Sequence, residues 1–212
     1  MPEMHSHGKG KRSMRWHLKT YDVEIVRDLD SAKLDELGEA QAEEAAESGY
    51  LAGNKMYSDL RGFGWGDVEL AISVEQKIID RLSQANDLEA ALDDWDEERF
   101  SATEPADDLW GLDVGVAAAT IALSAQGAAP VGSCNASGFG GQHQASYPYV
   151  AFYAPRHVAA KIMALAELAQ VGLTSGAEGL AVLFGKTDID LIKFARLSLQ
   201  QGSIEPDKGV IR

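Results

Sequence analysis

Residues 109–126, Leu-Trp-Gly-Leu-Asp-Val-Gly-Val-Ala-Ala-Ala-Thr-Ile-Ala-Leu-Ser-Ala-Gln, hold a single charged side chain, Asp113. A helix over this stretch is apolar nearly all round. It has no face to offer water, so it must sit at the centre of a fold with neighbours on every side. Asp107 or Asp108 supplies a cap and Gly127 a stop. Its longest apolar run, 114–125, is too short to cross a bilayer as a helix.

The elements after it follow from pattern and punctuation. A strand is expected over 129–134, then a loop over 135–146 that is rich in glycine, then a strand over 149–153 behind Pro148. Pro155 opens a helix over 156–171 with Val158, Ile162, Leu165 and Leu168 inward. Beyond Gly172 a hairpin-like stretch leads to a strand over 180–184. A last helix over 188–199 is capped by Thr187 or Asp188. The order helix, strand, strand, helix, strand, helix predicts an α+β fold. Its sheet is small, antiparallel or mixed, with helices packed mainly on one face.

The N-terminal half reads less cleanly. Residues 1–13 form a basic arm and 14–26 one bulged strand or two short ones, in which Met14, Trp16, Leu18, Val23 and Ile25 alternate with polar residues. A helix runs from Asp30 or Ser31 to 48. An aromatic and glycine-rich loop follows over 50–66. Its run Gly62-Phe63-Gly64-Trp65-Gly66 lacks the spacing of a dinucleotide fingerprint, so its rings are read as anchors on the core. Asp67 caps the next helix, which turns Val68, Ala71, Ile72, Ile79 and Leu82 to one side. A short acidic helix over 87–98 presents Leu88, Leu92 and Trp95. The segment 101–106 is the best boundary. It divides 14–106, strands plus acidic helices, from 107–201, and 202–212 is a tail. The two halves are expected to share one core.

Charge separates these regions. Residues 22–113 hold 26 Asp or Glu against 7 Lys or Arg, while the whole chain carries −14. Such a field repels a phosphate backbone, so direct nucleic-acid binding is not expected of the folded body. It suits solvated helix faces or a surface that docks on a basic protein. The polar, basic start has no apolar segment behind it, and the chain has one cysteine. Together these predict a cytoplasmic protein with no membrane span.

Three constellations are candidate sites. Cys134 and His143 flank the glycine loop, and a hairpin would bring them together as a thiolate–imidazolium pair, oriented by Asn135 or Gln142. The loop itself, with Gly138, Phe139, Gly140, Gly141 and Gln142, is a candidate contact surface. The acidic helix sets Trp95 among Asp93, Asp94, Asp96, Glu97 and Glu98, either as an exposed binding hot spot or as a core anchor. His5, His7 and His17 lack the ligand spacing of a built metal site, and no metal or other cofactor is expected. The leading expectation is a non-enzymatic accessory, inhibitory or immunity-type protein that binds a basic protein partner through its acidic face. A small cysteine-dependent hydrolase or transferase using Cys134, His143 and Asn135 is the alternative. A nucleic-acid mimic occupying a basic groove comes third, and self-association is left open.

Overall fold

The computed structural model of the chain describes residues 17–30, 60–140 and 144–202. The arm over 1–13, the helix to 48, most of the loop over 50–66, Gly141, Gln142, His143 and the tail beyond 202 lie outside these residues.

The chain is an α+β protein with a five-stranded mixed sheet and five helices among the described residues. The strands are β1 (Arg27–Asp28), β2 (Ala129–Cys134), β3 (Tyr149–Tyr153), β4 (Gly172–Ser175) and β5 (Ala181–Phe184). Their order is β1-β4-β5-β3-β2. The β1–β4 pair is parallel and the others are antiparallel. The helices are α1 (Trp65–Gln84), α2 (Leu88–Ser101), α3 (Ala117–Ala125), α4 (Arg156–Ala169) and α5 (Asp190–Gly202).

Register shows how the sheet buries one face. Val150 lies opposite Leu183, which lies opposite Leu173, and Phe152 lies opposite Ala181. All five pack into a cluster with Val116, Ala119 and Leu123, with Val158, Ile162 and Leu165 of α4, and with Leu191 and Phe194 of α5. The other sides of α3 and α5, with Ala117, Ala118, Ile121, Ala122, Ile192 and Ala195, join a second cluster with α1 and α2. The layers are therefore sheet, then α3, α5 and α4, then α1 and α2. Every residue from Ala117 to Ser124 is buried. Edge strand β2 carries Pro130 and a register shift between Pro130 and Gly132, which disfavours pairing with another strand.

Several boundaries differ from expectation for identifiable reasons. The central helix is shorter than 109–126. Leu109, Trp110 and Gly111 form a tight turn with φ of 52°, 54° and 77°, all left-handed, and Gly115 has φ 99°. A right-handed helix cannot pass through these residues, so it starts at Ala117. Asp108 does not cap it and instead accepts Arg99 Nε at 2.8 Å. On α1, Gly64 is the N-cap, and Asp67 reaches back to accept its N–H at 2.8 Å. Trp65 thus belongs to the helix rather than to a loop, while Phe63 meets Trp110 edge-on at 5.2 Å between ring centres. Asp87 does cap α2, accepting from Ala90 N.

On α4 the buried row continues from Leu165 to Ala169, which leaves Leu168 exposed rather than inward. Helix α5 starts at Asp190, whose carboxylate accepts the N–H groups of Lys186 and Thr187. Burial raises that carboxyl's pKa, but bonds from Lys193 and Thr187 outweigh it and hold the group below its usual range. Near the N-terminus, the alternation around Val23 and Ile25 persists in burial, with both half-buried between exposed neighbours. Only Arg27 and Asp28 reach β4 as a ladder, with Thr20 bridging Thr187.

Candidate functional site

Helix α2 is amphipathic in an unusual sense, with an apolar side and an anionic one. Leu88, Ala91, Leu92 and Trp95, at spacings of three and four, pack into the second cluster. Trp95 is 8% exposed, so it is the core anchor of the helix and not an exposed hot spot. The reason is its position one turn on from Ala91 and Leu92. The opposite row, Asp93, Asp96, Glu97 and Phe100, is exposed, and Phe100 is 89% exposed. Asp94 and Glu98 lie on the flank toward α1. There Arg81 donates to both oxygens of Glu98 at 2.7 and 2.8 Å and reaches Asp94 at 3.7 Å. The acids called together from the sequence therefore divide into a paired set and an outward set, and the aromatic beside the outward set is Phe100.

The second candidate, the β2–β3 connection, folds down onto the body. Cys134 is 4% exposed. Its thiol pKa is raised, chiefly by burial and further by the Asp113 charge, although the N–H of Ala136 points at the sulfur. A buried, protonated thiol is the opposite of what nucleophilic catalysis requires. The side chain of Asn135 is engaged within the turn itself. Its amide donates to Val114 O and its oxygen accepts from Ser137 N, both at 3.0 Å.

Ala136 and Ser137 both have positive φ, and Gly138 N closes the turn onto Asn135 O at 3.0 Å. Two left-handed non-glycine residues in succession are held from outside. Lys19 Nζ donates to Ala136 O, and the Tyr21 hydroxyl donates to Asp188 at 2.6 Å. Burial, and then that carboxylate, push the Tyr21 pKa far above its ordinary value. Only glycine fits at 138, because a Cβ there would lie 2.2 Å from Asp188 Oδ1.

The two candidates meet. Leu92, Trp95, Asp96 and Arg99 of α2 share a crevice of about 50 Å3 with Val114, Asn135, Phe139 and Gly140. A side chain at Gly140 would touch Leu92. Segments more than thirty residues apart in sequence thus form one edge of the molecule, with the outward acids of α2 beside a clamped loop.

Beneath this edge lies a residue that the sequence reading missed. Glu75 is fully buried. Its carboxylate accepts Gly115 N at 2.5 Å, and Ala117 N and Ala118 N at 3.3 Å, so it caps the start of α3 from a neighbouring helix. Burial raises its pKa to about 7, against the opposing pull of these N–H groups and the Arg196 charge. The sequence does hold a signal for it: Glu75 stands between Ala71 and Ile78 on the apolar stripe of α1. The turn it holds also supports the loop, since Val114 O binds Asn135 and a Cβ on Gly115 would strike Phe139.

Among the described residues no cluster of His, Cys, Asp and Glu could hold a metal ion, and no helix is long and apolar enough to cross a membrane. No known family, curated protein or solved structure matches the chain.

Proposed function

We propose that this protein is a non-enzymatic binding protein that docks on a protein partner with a basic surface, through the outward face of α2. The observation that carries the reading is Phe100, 89% exposed at the end of a row of carboxylates that no ion pair holds among the described residues. An apolar ring beside Asp93, Asp96 and Glu97 gives a partner both a pocket filler and a charge pattern. Long-range attraction by the acidic region speeds encounter, and the ring supplies a contact that persists once the surfaces meet. The neighbouring loop, from Gly138 to Gly140, extends the same edge.

The test is a pull-down from the native host with the wild-type chain. The same experiment is run with a variant carrying Asp93→Lys, Asp96→Lys and Glu97→Lys, and with Phe100→Ala. A stoichiometric partner is expected from the wild type and is released as salt rises. The lysine variant should slow its association by about tenfold or more and flatten the salt dependence. Phe100→Ala should speed dissociation with little change in on-rate. A partner captured equally by all three chains would remove α2 from the interface. Displacement of that partner by nucleic acid would instead favour mimicry of a phosphate backbone.

A further inference from the structure

Glu75 does more than cap α3, because the turn that it holds also supports the β2–β3 connection. Its Oε1 accepts Gly115 N at 2.5 Å and Ala117 N at 3.3 Å, and its Oε2 accepts Ala118 N at 3.3 Å. The same turn meets the connection at two points. Val114 O accepts the side-chain amide of Asn135 at 3.0 Å. Phe139 packs so close to Gly115 that a Cβ there would lie 3.0 Å from its ring. At the far end of the connection, Gly140 rests on Leu92 of α2. Bonded and packed groups therefore run without a break from the buried carboxyl to the acidic edge.

The surroundings of Glu75 favour its neutral form. The side chain is fully buried and makes no ion pair among the described residues. Arg196 of α5 acts on it only beyond ion-pair distance, being exposed and bound to Gln76. Helix α3 has no charged residue. Asp113 in the turn, and Asp188 on the far side of Gly115, bring negative charge only, and the Asp188 carboxylate is held by Tyr21 and by Lys19 N. On α2, Asp94 and Glu98 are paired with Arg81. A charge on Glu75 is thus met by backbone N–H groups in a place that water does not reach. The neutral acid keeps most of the cap. With Oε1 as its carbonyl oxygen, the bonds from Gly115 and Ala117 remain, and only the long bond from Ala118 weakens. Burial accordingly lifts the pKa to about 7, against the pull of the N–H groups and of Arg196.

We propose that Glu75 is a proton-controlled latch on the β2–β3 connection. With the proton on, the Gly115 turn and the connection stay closed against α2. With the proton off, the charge regains water through a local opening in which Gly115 leaves the carboxylate, and Asn135 and Phe139 leave with it. The pairing of β3 with β5 involves none of these residues and stays closed. The latch belongs to the fold and stands whether or not the acidic edge docks a partner.

Amide hydrogen exchange on the full chain tests this between about pH 5 and about pH 8, with each rate divided by its intrinsic value at that pH. Gly115 and Ala118 report the turn, since their amides bind Glu75. Ser137 and Gly138 report the connection, since their amides bind Asn135. Protection at all four should fall together by about tenfold or more as pH rises, because the opened carboxyl has its ordinary acidity. Amides of the β3–β5 ladder should hold steady. Glu75→Gln keeps an acceptor for Gly115 N and cannot ionise, so its protection should stay flat. Flat protection in the wild type overturns the proposal. A fall at Gly115 that leaves Ser137 and Gly138 unchanged does so too, as does a fall that persists in Glu75→Gln. Should that variant fail to fold, carbon NMR of the wild-type Glu75 carboxyl decides in its place. A titration midpoint near 7 supports the latch, and one near 4.5 overturns it.

Discussion

Glu75 on α1 and the row Asp93, Asp96 and Glu97 on α2 bear the same chemical group on adjacent helices, in opposite surroundings. Glu75 has no contact with water and is bound by three backbone N–H groups. The α2 row is exposed and makes no ion pair among the described residues. In the interior, a carboxylate is an element of architecture whose loss exposes other groups to harm. At the surface, it contributes field and recognition and almost nothing to stability. Counting acids along the chain draws attention to the second kind, although the first kind holds the fold.

The comparison is broken most severely by truncation. Glu75→Ala strands three buried N–H groups at the start of α3 and leaves a void. It should cost about 3–5 kcal/mol, read from the urea midpoint with an unchanged slope. Glu97→Ala should change stability by less than about 0.5 kcal/mol. The same contrast holds for the two rings of α2. Trp95→Ala should cost about 3–5 kcal/mol, whereas Phe100→Ala should fall within about 0.5 kcal/mol of wild type. A Glu75→Ala chain that loses less than about 1 kcal/mol would mean that water or a shift of α3 satisfies those groups.

The next largest effect is on pH. The pKa of Glu75 stands at about 7 in the folded protein against 4.5 when unperturbed, because burial disfavours its charge. The folded state therefore holds the proton more tightly than the unfolded state does. The stability this contributes is fully present below about pH 4.5 and is lost as pH rises through about 7, amounting to about 3 kcal/mol. Glu75→Gln cannot titrate. Its stability relative to wild type should be lowest near pH 5 and should improve toward pH 8. A difference that stays flat over this range would place the folded pKa of Glu75 near its ordinary value.

What the sequence discloses here depends on whether the signal is local. Strands β2 and β3 fall within their expected bounds, because alternation, Pro148 and flanking glycines are features of neighbouring residues. The burial of α3 is equally legible, since a stretch without a polar face has one kind of home. The left-handed turn at Leu109 and Trp110 is not, because nothing in those side chains announces a positive φ. The surrounding contacts impose it. The candidate edge joins α2 to the β2–β3 connection through the packing of Leu92, Trp95, Phe139 and Gly140, a relation that no spacing in the chain encodes. Trp95 and Phe100 could have been assigned by phase alone. Trp95 keeps step with Leu88, Ala91 and Leu92, whereas Phe100 keeps step with Asp93, Asp96 and Glu97.

The smallest effect on stability gives the finest test of the contrast, because Arg81 joins the two helices. It pairs with Glu98 and Asp94 in a setting where the side chains are 39% to 69% exposed. Exposed pairs of this kind are worth about 0.2–1 kcal/mol, so Arg81→Gln should destabilise the fold by no more than that. It should also free two carboxylates beside the outward row. If the α2 face recruits its partner by charge, this variant should associate faster than wild type at low salt, and the advantage should vanish as salt rises. A loss of more than about 2 kcal/mol in Arg81→Gln would instead show that the flank acids hold α2 in place, which would extend the structural class from Glu75 onto the surface.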